Sequence, residues 1–326
     1  MSLHGHALID LSPDLADLRD TVLAGLRRRP RRLPPWLFYD AAGSALFEHI
    51  CQQPEYYPTR TELRILHDHG AEIADTLGAG LTLVELGSGA HHKAERLLAA
   101  LRDPDGYIAI DISRAALRDA LKSLRQRFPE LPVTGIVSDY GARAELPLRE
   151  AAGNGPLVGF FPGSTIGNME PEAAERFLAG WAPRLAGGGM LIGVDLVKDP
   201  AILDAAYNDG AGMTAAFNRN MLVRIARELD TDLDPDAFVH RAFYNAEASR
   251  VEMHLVARTG HRFTLEGEAF AFAAGDGLCS EYSYKYSIEG FVALAERAGF
   301  RSARVWTDPK QWFSVHYLTA PAVLEP

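Results

Sequence analysis

The chain has 326 residues, 47% of them hydrophobic and 23% charged, so it can bury a core and has the composition of a globular rather than a disordered protein. Its 43 acidic against 33 basic residues give a formal net charge of -10, which argues against a binder of nucleic-acid backbones. No apolar run is long enough to span a membrane, nothing reads as a signal peptide, and Cys51 and Cys279 fit no zinc spacing, so a cytoplasmic protein with reduced thiols and no metal is expected.

From the N-terminus, a helix is predicted from about Pro13 to Arg29, ending in the basic cluster Arg27, Arg28, Arg29, Arg31 and Arg32. Cations at that end oppose the negative pole of the helix dipole, and this reading is preferred to an anion-binding patch. The central region then alternates short apolar runs with helical text, the signal of a parallel sheet. Strands are predicted at Leu81–Leu86, Gly106–Ile110, Val133–Val137, Leu157–Phe161 and Gly189–Val194. Helices are predicted at Lys93–Leu101, Ser113–Phe128 and Glu172–Leu185, where apolar residues recur at helical spacing.

After Asp195 the alternation breaks. A helix at Pro200–Leu229 and strand-like text at Arg250–Ala257 and His261–Glu266 read as an insertion. The pattern resumes with a helix at Ile288–Ala298 and strands at Ser302–Thr307 and Phe313–Thr319, an antiparallel pair at one sheet edge. The expected fold is α/β, a Rossmann-like sheet of class I methyltransferase type with that antiparallel edge pair, plus a smaller α+β domain for substrate. The expected division is 61–196 with 287–326 for the sheet domain, and 1–60 with 197–286 for the second.

The first predicted strand runs into Gly87-Ser88-Gly89, where glycine lets a backbone approach a ligand closely. Asp111 and Asp139 end the next two strands; the first is placed for ribose hydroxyls and the second, with Tyr140, for an adenine. Both acids also suit helix N-caps. His92 stands where a nicotinamide fingerprint needs a third glycine, which counts against an oxidoreductase and, with the edge pair, favours S-adenosylmethionine. His91 and His92 are read as solvent-facing.

Several longer runs carry a resemblance. They are Phe38-Tyr39-Asp40, the stretch Pro54 to Glu62, the stretch Pro162 to Asn168, the stretch Asp195 to Pro200, the stretch Ala216 to Asn220, Tyr244-Asn245 and Glu252-Met253-His254. On these the chain resembles the histidine-specific Nα-methyltransferases of ergothioneine biosynthesis over nearly its whole length. The resemblance implies three methyl transfers from S-adenosylmethionine to the α-amine of L-histidine, giving hercynine. It puts cofactor contacts on Gly87, Lys93, Asp111, Asp139 and Tyr140. It puts substrate contacts on Tyr57, Asn168, Tyr207, Met253, Glu281 and Ser283, with Tyr39 and Asn168 at the reacting amine.

Physically, Tyr57 and Tyr207 suit a carboxylate, Glu281 and Ser283 suit the two nitrogens of an imidazole, and Met253 suits an apolar wall. The loop Ala90-His91-His92 and the aromatic run Tyr282, Tyr284, Tyr286 depart from the family pattern. Competing readings are a methyltransferase for another aromatic amino acid such as tryptophan and a cofactor-binding regulatory protein without activity. The expected partner is a small amino acid, with no nucleic acid and no membrane, and the expected state is a monomer.

Overall fold

The computed structural model describes residues 8–11, 16–88, 92–141 and 145–322. It divides into two compact units, one of residues 1–12, 58–197 and 286–326, the other of 13–57 and 198–285. Gly89, Ala90 and His91 of the glycine loop, and Pro13 at the start of the first predicted helix, lie outside the described residues.

The first unit is built on an eight-stranded sheet. Its strands are β1 (Leu8–Asp10), β2 (Thr82–Leu86), β3 (Gly106–Asp111), β4 (Val133–Val137), β5 (Leu157–Phe161), β6 (Gly189–Asp195) and, after the second unit, β12 (Arg301–Thr307) and β13 (Phe313–Thr319). They lie in the order β1-β4-β3-β2-β5-β6-β13-β12. Neighbours from β1 to β6 are parallel, whereas β13 runs antiparallel to both β6 and β12. Strands β2, β4, β5 and β6 are buried along their whole length, which is why their sequences are mostly apolar, with Thr82, Glu85, Thr134 and Asp195 their polar side chains. Successive residues feed opposite faces. Leu83 joins the core under helices His92–Ala100 and Arg114–Arg127, and Val84 joins the core under helices Pro171–Trp181 and Ile288–Arg297. Strand β1, too short for its apolar pattern to mark it, extends the sheet beside β4 with Leu8 against Gly135.

The second unit holds a three-stranded antiparallel sheet in the order β11-β8-β7 and a separate hairpin. Its strands are β7 (Phe238–Asn245), β8 (Arg250–Ala257), β9 (His261–Leu265), β10 (Glu268–Phe272) and β11 (Gly277–Tyr284). The single helix expected over Pro200–Leu229 is two, Pro200–Ala206 and Met213–Glu228. The break falls at Gly212, whose φ is 72°, and the Asp209 carboxylate caps the second helix by accepting from the Met213 and Thr214 amides, each at 2.7 Å. The basic cluster serves the end of helix Ala16–Arg27. Arg29 Nη1 and Arg31 Nε donate to the Leu26 carbonyl at 2.9 and 3.1 Å, satisfying an acceptor the helix leaves open. Among the described residues no helix is long and apolar enough to cross a membrane.

Candidate active site

In the first unit the cofactor candidates gather where β2, β3 and β4 end. Gly87 closes β2 with φ 79°, its amide donating to the Ile110 carbonyl at 2.8 Å. A Cβ on Gly87 would stand 3.5 Å from the Tyr140 ring, so the glycine and the tyrosine form one wall. Tyr140 is itself wedged edge-on against Phe161 and Phe177, and burial pushes its phenol above the usual range, with Asp111 and Asp139 adding to the effect. The Asp111 and Asp139 carboxylates accept from the Ser113 and Gly141 amides at 2.7 and 2.8 Å, which fixes each acid at the mouth of its turn. Ser88, next to Gly87, is fully buried, and its hydroxyl has no hydrogen-bond partner among the described residues. An orphaned hydroxyl beside a glycine cradle and two strand-end acids fits an adenosyl cofactor.

Lys93 has a partner that spacing did not reveal. Its ammonium donates to the Glu62 carboxylate at 2.6 Å, and both side chains are almost wholly buried. The same carboxylate accepts from the Gly163 amide at 2.9 and 3.1 Å. Glu62 thereby ties the helix after the glycine loop to the Pro162–Asn168 loop that carries Asn168. Gly193 makes room for it, since a Cβ there would lie 2.0 Å from Glu62 Oε1. Asn168 ends a short 3-10 helix, Thr165–Asn168, after β5, and the preceding Ser164 holds a left-handed φ of 56° while its hydroxyl accepts from the Asp195 amide at 2.9 Å. Beneath the loop, Glu85 is buried in β2 and bonded to the Tyr107 phenol; burial raises its pKa to about 8 against the pull of Tyr107 and Lys93.

In the second unit a β-bulge decides which residues share a face. Leu278 pairs with Leu255 and Cys279 with His254, but then Glu281 pairs with Met253 and Ser283 with Val251. Ser280 is the extra residue, so the alternation slips by one. Glu281 and Ser283 therefore stand on the face of Met253, and Tyr282 and Tyr284 stand on the face of Arg250 and Glu252. On that second face two guanidinium groups, Arg32 and Arg250, sandwich the Tyr282 ring at 3.9 and 3.5 Å. Glu281 is buried, not the surface acid that glutamate usually is, and burial lifts its pKa to about 7 while Lys285 opposes the rise.

Both tyrosines expected at a carboxylate are held by lysines that the sequence did not single out. The Lys198 ammonium donates to the Tyr57 hydroxyl at 2.6 Å and lies 4.5 Å from the centre of its ring. The buried Lys285 ammonium donates to the Tyr207 hydroxyl at 3.2 Å and to the Ser283 hydroxyl at 2.7 Å. Tyr207 gives its own proton to Ser283 at 2.8 Å, so Tyr57 and Tyr207 differ in what they offer. Tyr39 sits edge-on to Phe47 and Phe217, and the next residue, Asp40, is fixed by Asn220, Arg227 and the Gly43 amide. Glu62, Lys198 and Asn220 lie inside the runs that carried the resemblance, which was their only signal. Among the described residues no cluster of His, Cys, Asp or Glu is placed to hold a metal ion.

A mostly parallel sheet with one reversed strand, a glycine turn after its central strand and an acid at the end of each of the next two is the arrangement of a class I S-adenosylmethionine-dependent methyltransferase. A family profile described as "Histidine-specific methyltransferase, SAM-dependent" matches residues 18–320, and the chain belongs to that family. It is 43% identical over 302 residues to a histidine N-alpha-methyltransferase of Mycolicibacterium smegmatis, covering 90% of this chain and 91% of that one. A histidine N-alpha-methyltransferase of Mycobacterium tuberculosis is 39% identical over 297 residues, 89% of this chain and 91% of its own. An ergothioneine biosynthesis protein 1 of Neurospora crassa is 31% identical across 89% of this chain and 33% of its own length.

Proposed function

We propose that the protein methylates the α-amino nitrogen of L-histidine three times, using S-adenosylmethionine, and so makes hercynine for ergothioneine biosynthesis. The observation that carries the reading is the face of β8 and β11 on which buried Glu281, Ser283 and Met253 stand together, an acceptor, a hydroxyl and an apolar wall of the kind an imidazole needs. The names of the mycobacterial relatives support the same substrate.

S-adenosylmethionine supplies an electrophilic sulfonium methyl, and the protein's task is to bind, orient and deprotonate. In this reading Gly87, Lys93, Asp111, Asp139 and Tyr140 hold the cofactor. Tyr57, whose oxygen accepts from Lys198, binds the substrate carboxylate. Glu281, Ser283 and Met253 receive the ring end of the substrate, and Tyr207, expected from the sequence at the carboxylate, instead gives its proton to Ser283 and backs that end. Tyr39 and Asn168 orient the amine, which must be neutral to attack, and Tyr39 or a water takes the proton released before each transfer. The acidic net charge of -10 supports a protein that works without nucleic acid, and we assign it to the cytoplasm as a monomer.

The test is mass spectrometry of the purified protein incubated with S-adenosylmethionine and histidine, tyrosine, phenylalanine or tryptophan in turn. Addition of three methyl groups to histidine alone is the expected result. Methylation of another amino acid in preference to histidine overturns the substrate. Tyr39→Phe is expected to slow the transfer, and unchanged turnover removes Tyr39 from the chemistry.

A further inference from the structure

We propose that Lys285 is a specificity-determining residue, which acts by fixing the Ser283 hydroxyl as a hydrogen-bond donor, so that the β11 face selects a ring carrying both an N–H and a bare nitrogen. The inference rests on the reading of Glu281 and Ser283 as the ring contacts and adds to it a residue without which that reading leaves the polarity of Ser283 open.

The argument is one of donors and acceptors. A serine hydroxyl has one proton to give and two lone pairs to receive with. Lys285 is an ammonium, donor only, and its Nζ lies 2.7 Å from Ser283 Oγ. The Tyr207 hydroxyl fills the second acceptor position at 2.8 Å. Tyr207 is held in that role, since its own oxygen receives Lys285 at 3.2 Å and the ammonium lies 5.2 Å from its ring centre. With both lone pairs of Ser283 engaged, only its proton is left for a ligand. Two residues along the same strand face, Glu281 supplies acceptor oxygens, and Met253 stands directly across from it.

One donor and one acceptor on a single face match a neutral imidazole. An imidazolium brings two donors, an indole one donor and no acceptor, and a phenyl ring neither. Lys285, Tyr207 and Ser283 are all at least nine-tenths buried, so water competes poorly for these bonds. Lys285 is a positioning residue here: it acts through Ser283 and need not touch the substrate.

The experiment uses the full chain and three amino acids whose rings differ in hydrogen-bonding pattern. Histidine offers a donor and an acceptor, 3-(thiazol-4-yl)alanine an acceptor alone, and phenylalanine neither. The KM and kcat for histidine are measured, together with the inhibition constants of the other two against it. The wild-type protein is expected to prefer thiazolylalanine to phenylalanine. Lys285→Met keeps the alkyl stem and loses the ammonium. It is expected to raise the histidine KM about tenfold with kcat within about twofold, and to abolish the preference for thiazolylalanine, the size expected for one charge-assisted hydrogen bond in a desolvated site. Ser283→Ala is expected to abolish the same preference, and the double variant to lose nothing further.

Survival of the thiazolylalanine preference in Lys285→Met, while histidine is still methylated, overturns the role of the lysine alone. A wild-type protein that methylates no histidine overturns the substrate reading and this proposal with it. If Lys285→Met fails to fold by its thermal melt, Ser283→Ala decides: a preference that survives loss of the serine hydroxyl overturns the proposal.

Discussion

The Ser280 hydroxyl donates to the side-chain carbonyl of Asn218 at 2.6 Å, and that bond locks the bulge that turns Glu281 and Ser283 onto the face of Met253. Asn218 is fully buried on helix Met213–Glu228 and uses its amide group as well, donating to the His254 carbonyl at 3.0 Å and meeting His240 Nδ1 at 2.9 Å. A bulge leaves backbone unpaired and has to be supported from outside the ladder. Here one asparagine supplies that support.

Asn218→Leu is therefore expected to act on register as well as on stability. It removes one partner each from Ser280, His240 and the His254 carbonyl, although Ser280 keeps the Met253 carbonyl at 3.1 Å and His240 the Tyr207 carbonyl at 2.9 Å, a cost of about 1–3 kcal/mol in urea unfolding. The histidine KM is expected to rise while S-adenosylmethionine affinity measured by calorimetry stays within a fewfold. Equal losses for both ligands show a global folding defect and reject the local role.

How legible this site was follows from which faces the strands present. Strands β2, β4, β5 and β6 could be read because burial on both faces leaves short, mostly apolar runs with few polar residues in them. Strand β7 could not, because half-buried His240 and Tyr244 and exposed Arg241 break any alternation, and β11 could not, because the Ser280 bulge shifts its phase midway. Gly87, Asp111 and Asp139 were visible as strand-end residues by position alone. Glu62 and Lys285 were not, since a glutamate in a helix and a lysine among tyrosines are ordinarily solvent-facing, and only the fold shows both charges inside.

The pairing of Glu62 with Lys93 yields a second prediction. Glu62→Leu leaves the Lys93 ammonium buried without its carboxylate and strips the Gly163 amide of its acceptor, which should destabilise the protein by about 3–5 kcal/mol. Adding Lys93→Met should restore part of that loss, because the stranded charge is gone, while S-adenosylmethionine binding remains weak. Urea unfolding of the single and double variants measures the coupling. Simple additivity of the two substitutions means the pair contributes nothing specific.

Gly87 gives a third. Its φ of 79° lies where a side chain is strained, and the added methyl would stand in van der Waals contact with Tyr140 at 3.5 Å, in the space between the turn and a ligand. Gly87→Ala is expected to cost about 1–2 kcal/mol of stability and to weaken S-adenosylmethionine by at least tenfold. Calorimetric titration checks the affinity, and cofactor binding unchanged by the methyl shows that the turn at Gly87 makes no close approach to the ligand.

Glu281 couples the site to pH, with a sign opposite to that of a paired surface carboxylate. Burial raises its pKa from 4.5 to about 7, so the folded protein holds this proton more tightly than the unfolded chain. Its contribution to stability is accordingly full below pH 4.5 and is lost as pH rises through about 7. The loss is on the order of 3 kcal/mol. Glu281→Gln removes the titration and keeps the shape, so unfolding free energies of the two proteins should diverge in favour of the glutamine variant between pH 4.5 and about 7 and run parallel above that. Taking the difference cancels Glu85, whose pKa is also raised by burial but which both proteins share. Curves already parallel between pH 4.5 and about 7 place the Glu281 carboxyl in water and remove it as the buried acceptor for an imidazole N–H.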